Sequence, residues 1–184
     1  MAMPASFPVT TIDELMALPD DGMRHELLDG RHVVTPASRP DHERVVRALD
    51  ITLRASLAGH SRLELFSGPA DIRLGSRTLV QPDLFVIRNP ESGPIQDWSD
   101  APVPLLAIEV LSPSTAARDR GTKRKLYLEA GVAEYWIVDI DARLIERWRT
   151  RDERPEINDG MMRWELETGV AGEINVTELF ETRG

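Results

Sequence analysis

The stretch PLLAIEVLSPSTAARDRGTKRKLY, Pro104 to Tyr127, sets an acid inside an apolar strand and follows it with a basic helix. Pro104 to Leu111 is a short apolar run with β-branched residues. It has the length of a strand buried on both faces and is too short for an ordinary helix. Glu109 is its only ionisable residue. A carboxylate in such a strand loses much of its hydration, so it has to be paired, protonated or bound to a metal. Ser112-Pro113-Ser114 ends the strand, because proline cannot donate to a ladder, and Ser114 or Thr115 is placed to cap the next helix. That helix is expected over about 116–130, with Gly131 as its left-handed stop. Asp119, Lys123 and Tyr127 recur at i, i+4 and i+8 and share one stripe of it. Alone, the Asp119 and Lys123 spacing is that of a surface ion pair worth about 0.3–0.5 kcal/mol. The acid on the preceding strand, and a second one upstream, give it a further meaning.

The upstream acid is Asp83. Leu79 to Ile87 reads as one apolar strand with Gln81-Pro82-Asp83 inside it, and a proline there points to an edge or to a bulge that re-aims a side chain. Leu63 to Phe66 and Ala70 to Leu74 are the strands before it. Nearer the N-terminus, Thr11-Ile-Asp-Glu14 is a capping box opening a short helix. Arg24 to Leu28 and Arg31 to Thr35 flank Asp29-Gly30, a two-residue hairpin signal. Glu26, in the first of these, alternates with Leu27, and its plain reading is exposure on a sheet face. Ser38, Pro40 and Asp41 start a longer helix whose buried stripe is Val46, Leu49, Leu53 and Leu57. His42 in its first turn reads as a surface or capping group and stands second in rank as a ligand.

Residues 89–103 form a polar, proline-rich loop that is a candidate flap over the site. Glu134 to Asp139 is a further buried strand, and Arg143 to Thr150 is a strand with one wet face. Asn158-Asp159-Gly160 turns the chain into a strand at Met161 to Leu166, and Thr177 to Phe180 suits a short last helix. No boundary divides the chain, so residues 1–184 are expected to form one domain.

The composition narrows the chemistry. With no cysteine, thiolate zinc sites, disulfides and cysteine nucleophiles are excluded. No membrane-length apolar run or signal peptide is visible, so a cytoplasmic protein is expected. The net charge of -9 argues against a general nucleic-acid coat but leaves room for a local basic face, since residues 118–125 carry five Lys or Arg against one Asp. Arg120, Lys123 and Arg124, with Arg147 and Arg149 on a later strand, are the expected phosphate contacts.

Two carboxylates on neighbouring strands favour a hard ion such as Mg²⁺ or Mn²⁺, which activates water and offsets charge on a phosphodiester. The spacing alone leaves other chemistries open. The order Arg24-His-Glu-Leu-Leu-Asp-Gly30, Val80-Gln-Pro-Asp83, Ile108-Glu-Val-Leu-Ser-Pro-Ser114, Arg118-Asp-Arg-Gly-Thr-Lys123 and Gly131-Val-Ala-Glu-Tyr-Trp-Ile-Val-Asp139 resembles the Uma2 family, also called DUF820. That family belongs to the PD-(D/E)XK nuclease superfamily.

The resemblance covers about residues 10–180. It implies an α/β, restriction-endonuclease-like core, a mixed β-sheet flanked by helices, with an added N-terminal helix and hairpin. It also implies Asp83 and Glu109 as metal ligands, with Glu26 as an additional acid of the catalytic set. The superfamily lysine, two residues after the glutamate, falls here on Leu111. Lys123 matches the lysine that family members carry on the next helix, and replaces it. The expectation is a Mg²⁺- or Mn²⁺-dependent endonuclease acting on nucleic acid, DNA first, as a homodimer because cutting a duplex takes two sites. The competing expectations are a catalytically inactive nuclease fold used for binding or assembly, and hydrolysis of a smaller phosphoester.

Overall fold

The computed structural model describes residues 8–181. A short helix α1 (Ile12–Met16), opened by the Thr11 and Glu14 capping box, leads into the hairpin β1 (Arg24–Leu28) and β2 (Arg31–Thr35). Asp29 and Gly30 turn it with φ of 49° and 77°, the pair of positive values that a type I′ turn needs. Helix α2 (Pro40–Leu57) follows, then β3 (Leu63–Ser67), β4 (Ile72–Gly75), β5 (Thr78–Val80), β6 (Leu84–Arg88) and β7 (Leu106–Val110). A composite helix α3 spans 116–129 and ends at Gly131. After it come β8 (Glu134–Asp139), β9 (Leu144–Arg149), β10 (Glu156–Asn158), β11 (Met161–Glu167), β12 (Val170–Asn175) and a last turn of helix, α4 (Val176–Leu179).

Six strands form the main sheet in the order β10-β9-β8-β7-β6-β3. Only β7 and β8 run parallel, and α3 is the crossover between them, which makes the sheet mixed. A second sheet, β2-β1-β5-β4, carries the N-terminal hairpin, and β11 and β12 form a separate ribbon. Because side chains alternate along a strand, β6 sends Leu84 and Val86 to one face and Phe85 and Ile87 to the other. The first face packs on Val45, Leu49, Leu53 and Leu57 of α2 and on the β11–β12 ribbon. The second packs on Leu28 and Ile72 of the smaller sheet and on Tyr127 of α3. Glu109 projects from the second face, with Ala107 and Leu111.

Several sequence expectations change here. The apolar run from Leu79 to Ile87 is two strands in two sheets, because Pro82 cannot join a ladder and the chain crosses over at Gln81-Pro82-Asp83. The helix over 116–130 is not uniform: Asp119–Lys123 is π-helical, with the Arg124 amide donating to the Asp119 carbonyl five residues back. Arg39, not Ser38, is the cap residue of α2, and no side chain caps it. The segments at Glu156 and Val170 are additional strands. Residues 89–103, the candidate flap, do not line the cavity, and Trp98 packs edge-on against Phe66 and Phe85 and ties the loop to the core. No described helix is long and apolar enough to cross a membrane.

Candidate active site

The parting of the two sheets creates the site. Where β5 leaves the smaller sheet and β6 enters the larger one, Asp83 is fixed by backbone on two sides. Its amide donates to the Ile108 carbonyl at 3.1 Å, and its carbonyl accepts from the Gly68 amide at 2.8 Å. Gly68 allows that approach, because a Cβ there would stand 2.4 Å from the Pro82 oxygen. The smaller sheet presents Arg24 and Glu26 from alternate positions of β1. The larger sheet presents Glu109, and α3 presents Asp119 and Lys123. All six line one cavity of about 220 Å³, whose wall is completed by 35–39, His42, 112–115 and Arg118.

Asp83 accepts from Arg24 Nη1 at 2.8 Å on one oxygen, and from His42 Nε2 at 3.0 Å and the Val110 amide at 2.8 Å on the other. Burial by itself would raise its pKa. The His42 hydrogen bond and the Arg24 charge outweigh that and hold it at about 2, so Asp83 is a fixed anion. Glu109 is built differently. Its Oε1 meets Lys123 Nζ at 2.5 Å and the Tyr127 hydroxyl at 2.9 Å. Burial pushes its carboxyl up to about 8 against the pull of Lys123, and the neighbouring charges of Asp83, Asp119 and Glu26 push the same way.

Glu26 is 2 % exposed, so its reading as an exposed sheet-face residue is wrong: the second sheet folds that face over the cavity. It accepts from Lys123 Nζ and from the Gln81 amide, both at 2.8 Å. Burial raises its pKa, but Lys123 and the Gln81 amide more than offset this and the net shift is downward. Lys123 is 2 % exposed, so the surface ion pair with Asp119 is also replaced by a buried arrangement. Desolvation disfavours its charge, yet Glu109, Glu26 and Asp119 hold its pKa above the ordinary lysine value. Lys123 is therefore a permanent ammonium here, unsuited to act as a free base. Asp119 is pushed upward by burial, with Lys123 opposing. The Asp119 carbonyl, which takes the Arg124 amide in the π-turn, also accepts from the Tyr135 hydroxyl at 3.1 Å, and Tyr135 stacks on Tyr127 beneath the site. π-Turns inside helices occur frequently at functional sites.

The structure thus brings Glu26, Asp83, Glu109 and Lys123 together, while Lys125 points outward beside Glu129. His42, expected as a surface or capping group, and Arg24 both join the site through Asp83. Both left a signal: His42 precedes Val45 by three residues and Leu49 by seven, on the buried stripe of α2, and Arg24 lies two residues from Glu26 on the same strand face.

The expected basic face is not free. Arg120 bridges Asp139 and Glu146, each at 2.6 Å. Arg147 is buried against Glu134, and Arg149 pairs with Glu156 at 3.0 Å. Arg124 lies over the Trp148 ring, 4.1 Å from its centroid. The charge run was legible, but its partners, which come from β8, β9 and β10, were not.

Comparison with known proteins agrees with this architecture. One similar solved structure is a crystal structure described as "a putative nuclease belonging to DUF820" from Anabaena variabilis. It has 19% sequence identity and a TM-score of 0.78, over 92% of this chain and 97% of that one. At that identity the likeness establishes the fold alone. No curated protein matches the chain. The Uma2 family, described as "Putative restriction endonuclease", matches residues 12–177. The chain belongs to the Uma2 family.

Proposed function

We propose that the cavity is the catalytic centre of a metal-dependent endonuclease that hydrolyses nucleic-acid phosphodiester bonds, with DNA as the first substrate. The observation that carries this reading is the meeting of Glu26, Asp83, Glu109 and Lys123, distant in sequence, in one cavity. The donors suit Mg²⁺ or Mn²⁺ in kind: they are carboxylate oxygens, and the four buried acids make ion pairs with only two permanent cations, Arg24 and Lys123. Among the described residues no three His, Asp or Glu side chains stand in a ligating arrangement, and Arg24 and Lys123 sit on the same oxygens. Asp83 and Glu109 would hold the ion as those two cations turn towards the substrate phosphate. Bound there, the ion would lower the pKa of the attacking water and offset charge on the phosphodiester.

The chain's own groups supply the rest. Lys123, held protonated, orients the water or meets the negative charge that develops on phosphate oxygen. Arg24 offers a planar fork to a second phosphate oxygen. His42 keeps the Asp83 carboxylate in one orientation. The stacked tyrosines and the sheet exclude water from below, which strengthens each of these interactions. Water oxygen bonds to phosphorus and gives up a proton, the ester bond to the leaving sugar oxygen breaks, and that oxygen takes up a proton, so that one water is consumed and no net proton is gained or lost in the step. Cutting both strands of a duplex calls for two such pockets, hence a homodimer.

The test is cleavage of plasmid DNA in Mg²⁺ or Mn²⁺. Wild type is expected to cut, and Asp83→Asn and Glu109→Gln to be inactive. Full activity in both variants would refute the assignment. A wild type inactive with either metal would favour the competing reading, a nuclease fold used for binding or assembly, to which the Arg24 and Lys123 contacts with the acids lend weight.

A further inference from the structure

We propose that Arg39 and Arg118 grip the nucleic-acid backbone on either side of the scissile phosphate. The inference rests on the nuclease reading and supplies what the structure took away from it, the cations that meet the substrate. Arg120, Arg147 and Arg149 are neutralised by acids of their own, and Arg124 is spread over Trp148. Of the cations lining the catalytic cavity, Arg24 and Lys123 are bound to its acids. Arg39 and Arg118 also line it, and among the described residues neither has a carboxylate within ion-pair distance.

They stand on two walls of the same opening. Arg39 is exposed on the segment between β2 and α2, and Arg118 is on the first turn of α3. Arg118 Nη2 donates to the Thr35 hydroxyl at 2.9 Å, which fixes its guanidinium across the gap between these walls, while its Nε is buried without a partner. The Arg118 charge reaches Asp119 through space but makes no ion pair with it, so most of its fork stays open to an anion that arrives later. Its planar fork fits phosphate oxygens bidentately. The cavity, about 220 Å³, falls below the roughly 300–1,000 Å³ of small-molecule pockets, so it suits one phosphodiester link and leaves the rest of the strand outside. With the scissile phosphate over Asp83 and Glu109, the strand would leave the cavity past the two walls that carry these arginines.

The test is fluorescence anisotropy in EDTA, where nothing is cut, with a short labelled DNA duplex and the RNA duplex of the same sequence. Wild type is expected to bind at low salt. Arg39→Ala and Arg118→Ala should each weaken binding about tenfold and lower the slope of log K against log salt by about one. Arg39→Glu, at an exposed position where folding is not at stake, should weaken it further. Arg118→Lys should keep the salt slope while losing part of the affinity. Arg124→Ala and Arg149→Ala should match wild type. In metal-dependent cleavage, Arg39→Ala should raise KM and leave kcat nearly unchanged. Equal affinity and slope in wild type and the Arg39→Ala, Arg118→Ala double variant would overturn the inference and leave the nuclease reading standing. A wild type that binds neither duplex at low salt would also overturn the inference, with the plasmid-cleavage test deciding the nuclease reading separately, and the two probes decide between DNA and RNA.

Discussion

Two neighbouring strands of the main sheet each bury a glutamate, and the two are satisfied in opposite ways. On β8, Glu134 is held by Arg147 through two nitrogens, by the Trp136 indole at 2.8 Å and by Arg149 Nε at 3.4 Å. Arg147 also donates to the Arg163 carbonyl and so fastens the β11–β12 ribbon to the sheet. Acid and cation are matched there, and every oxygen is used. On β7, Glu109 shares one lysine with Glu26, beside Asp83 and Asp119, and its pKa is driven up to about 8. Burial of charge is common to both regions, so burial does not mark function. The mark is the uncompensated acid, which native structures keep where a ligand or a reaction uses it.

The largest expected effect lies in the unbalanced cluster. Asp83→Asn should lower metal-dependent cleavage by about 10³-fold or more while the protein stays folded, because it removes a site charge and keeps the shape. Glu134→Gln should leave cleavage near wild type, and a comparable loss there would erase the distinction between the regions. Next come the two buried cations. Lys123→Ala and Arg147→Ala should each cost about 3–5 kcal/mol in urea denaturation, since each strands a buried acid. Only Lys123→Ala should also abolish cleavage.

Glu26 gives a smaller effect with a sign set by pH. Its folded pKa lies below the ordinary 4.5, so it contributes stability above about that pH and loses it as the pH falls through the folded value. Glu26→Gln should therefore be less stable than wild type by about 1–3 kcal/mol at neutral pH and show a flatter profile below pH 4.5. A constant difference from pH 7 to pH 3 would contradict this. Smallest of all, Lys125→Ala should change stability by less than about 0.5 kcal/mol and leave cleavage intact, because its pair with Glu129 is exposed to water.

What could be read in the sequence follows the range of the forces involved. The capping box at Thr11, the Asp29-Gly30 turn and the strand from Glu134 to Asp139 depend on residues a few positions apart, and all three were legible. The family motifs pointed to Glu26, Asp83, Glu109 and Lys123 before any contact between them was known. Less legible was whatever a distant segment decides. Pro82 signalled a break in the ladder, but the move from one sheet to another depends on how β1 and β7 pair. The burial of Glu26 depends on the second sheet closing over it. The neutralising of Arg120 and Arg147 depends on acids 19 and 13 residues away in sequence, on other strands. A charge run announces that cations are present, and only the fold says which are spent on internal partners.

The most direct measurement is calorimetric titration of Mn²⁺ into wild type and Glu109→Gln at neutral pH and low salt. Binding by wild type, lost or strongly weakened in Glu109→Gln, is the predicted result. Equal binding by the two proteins would contradict the claim that the uncompensated acids around Glu109 form the metal-dependent centre.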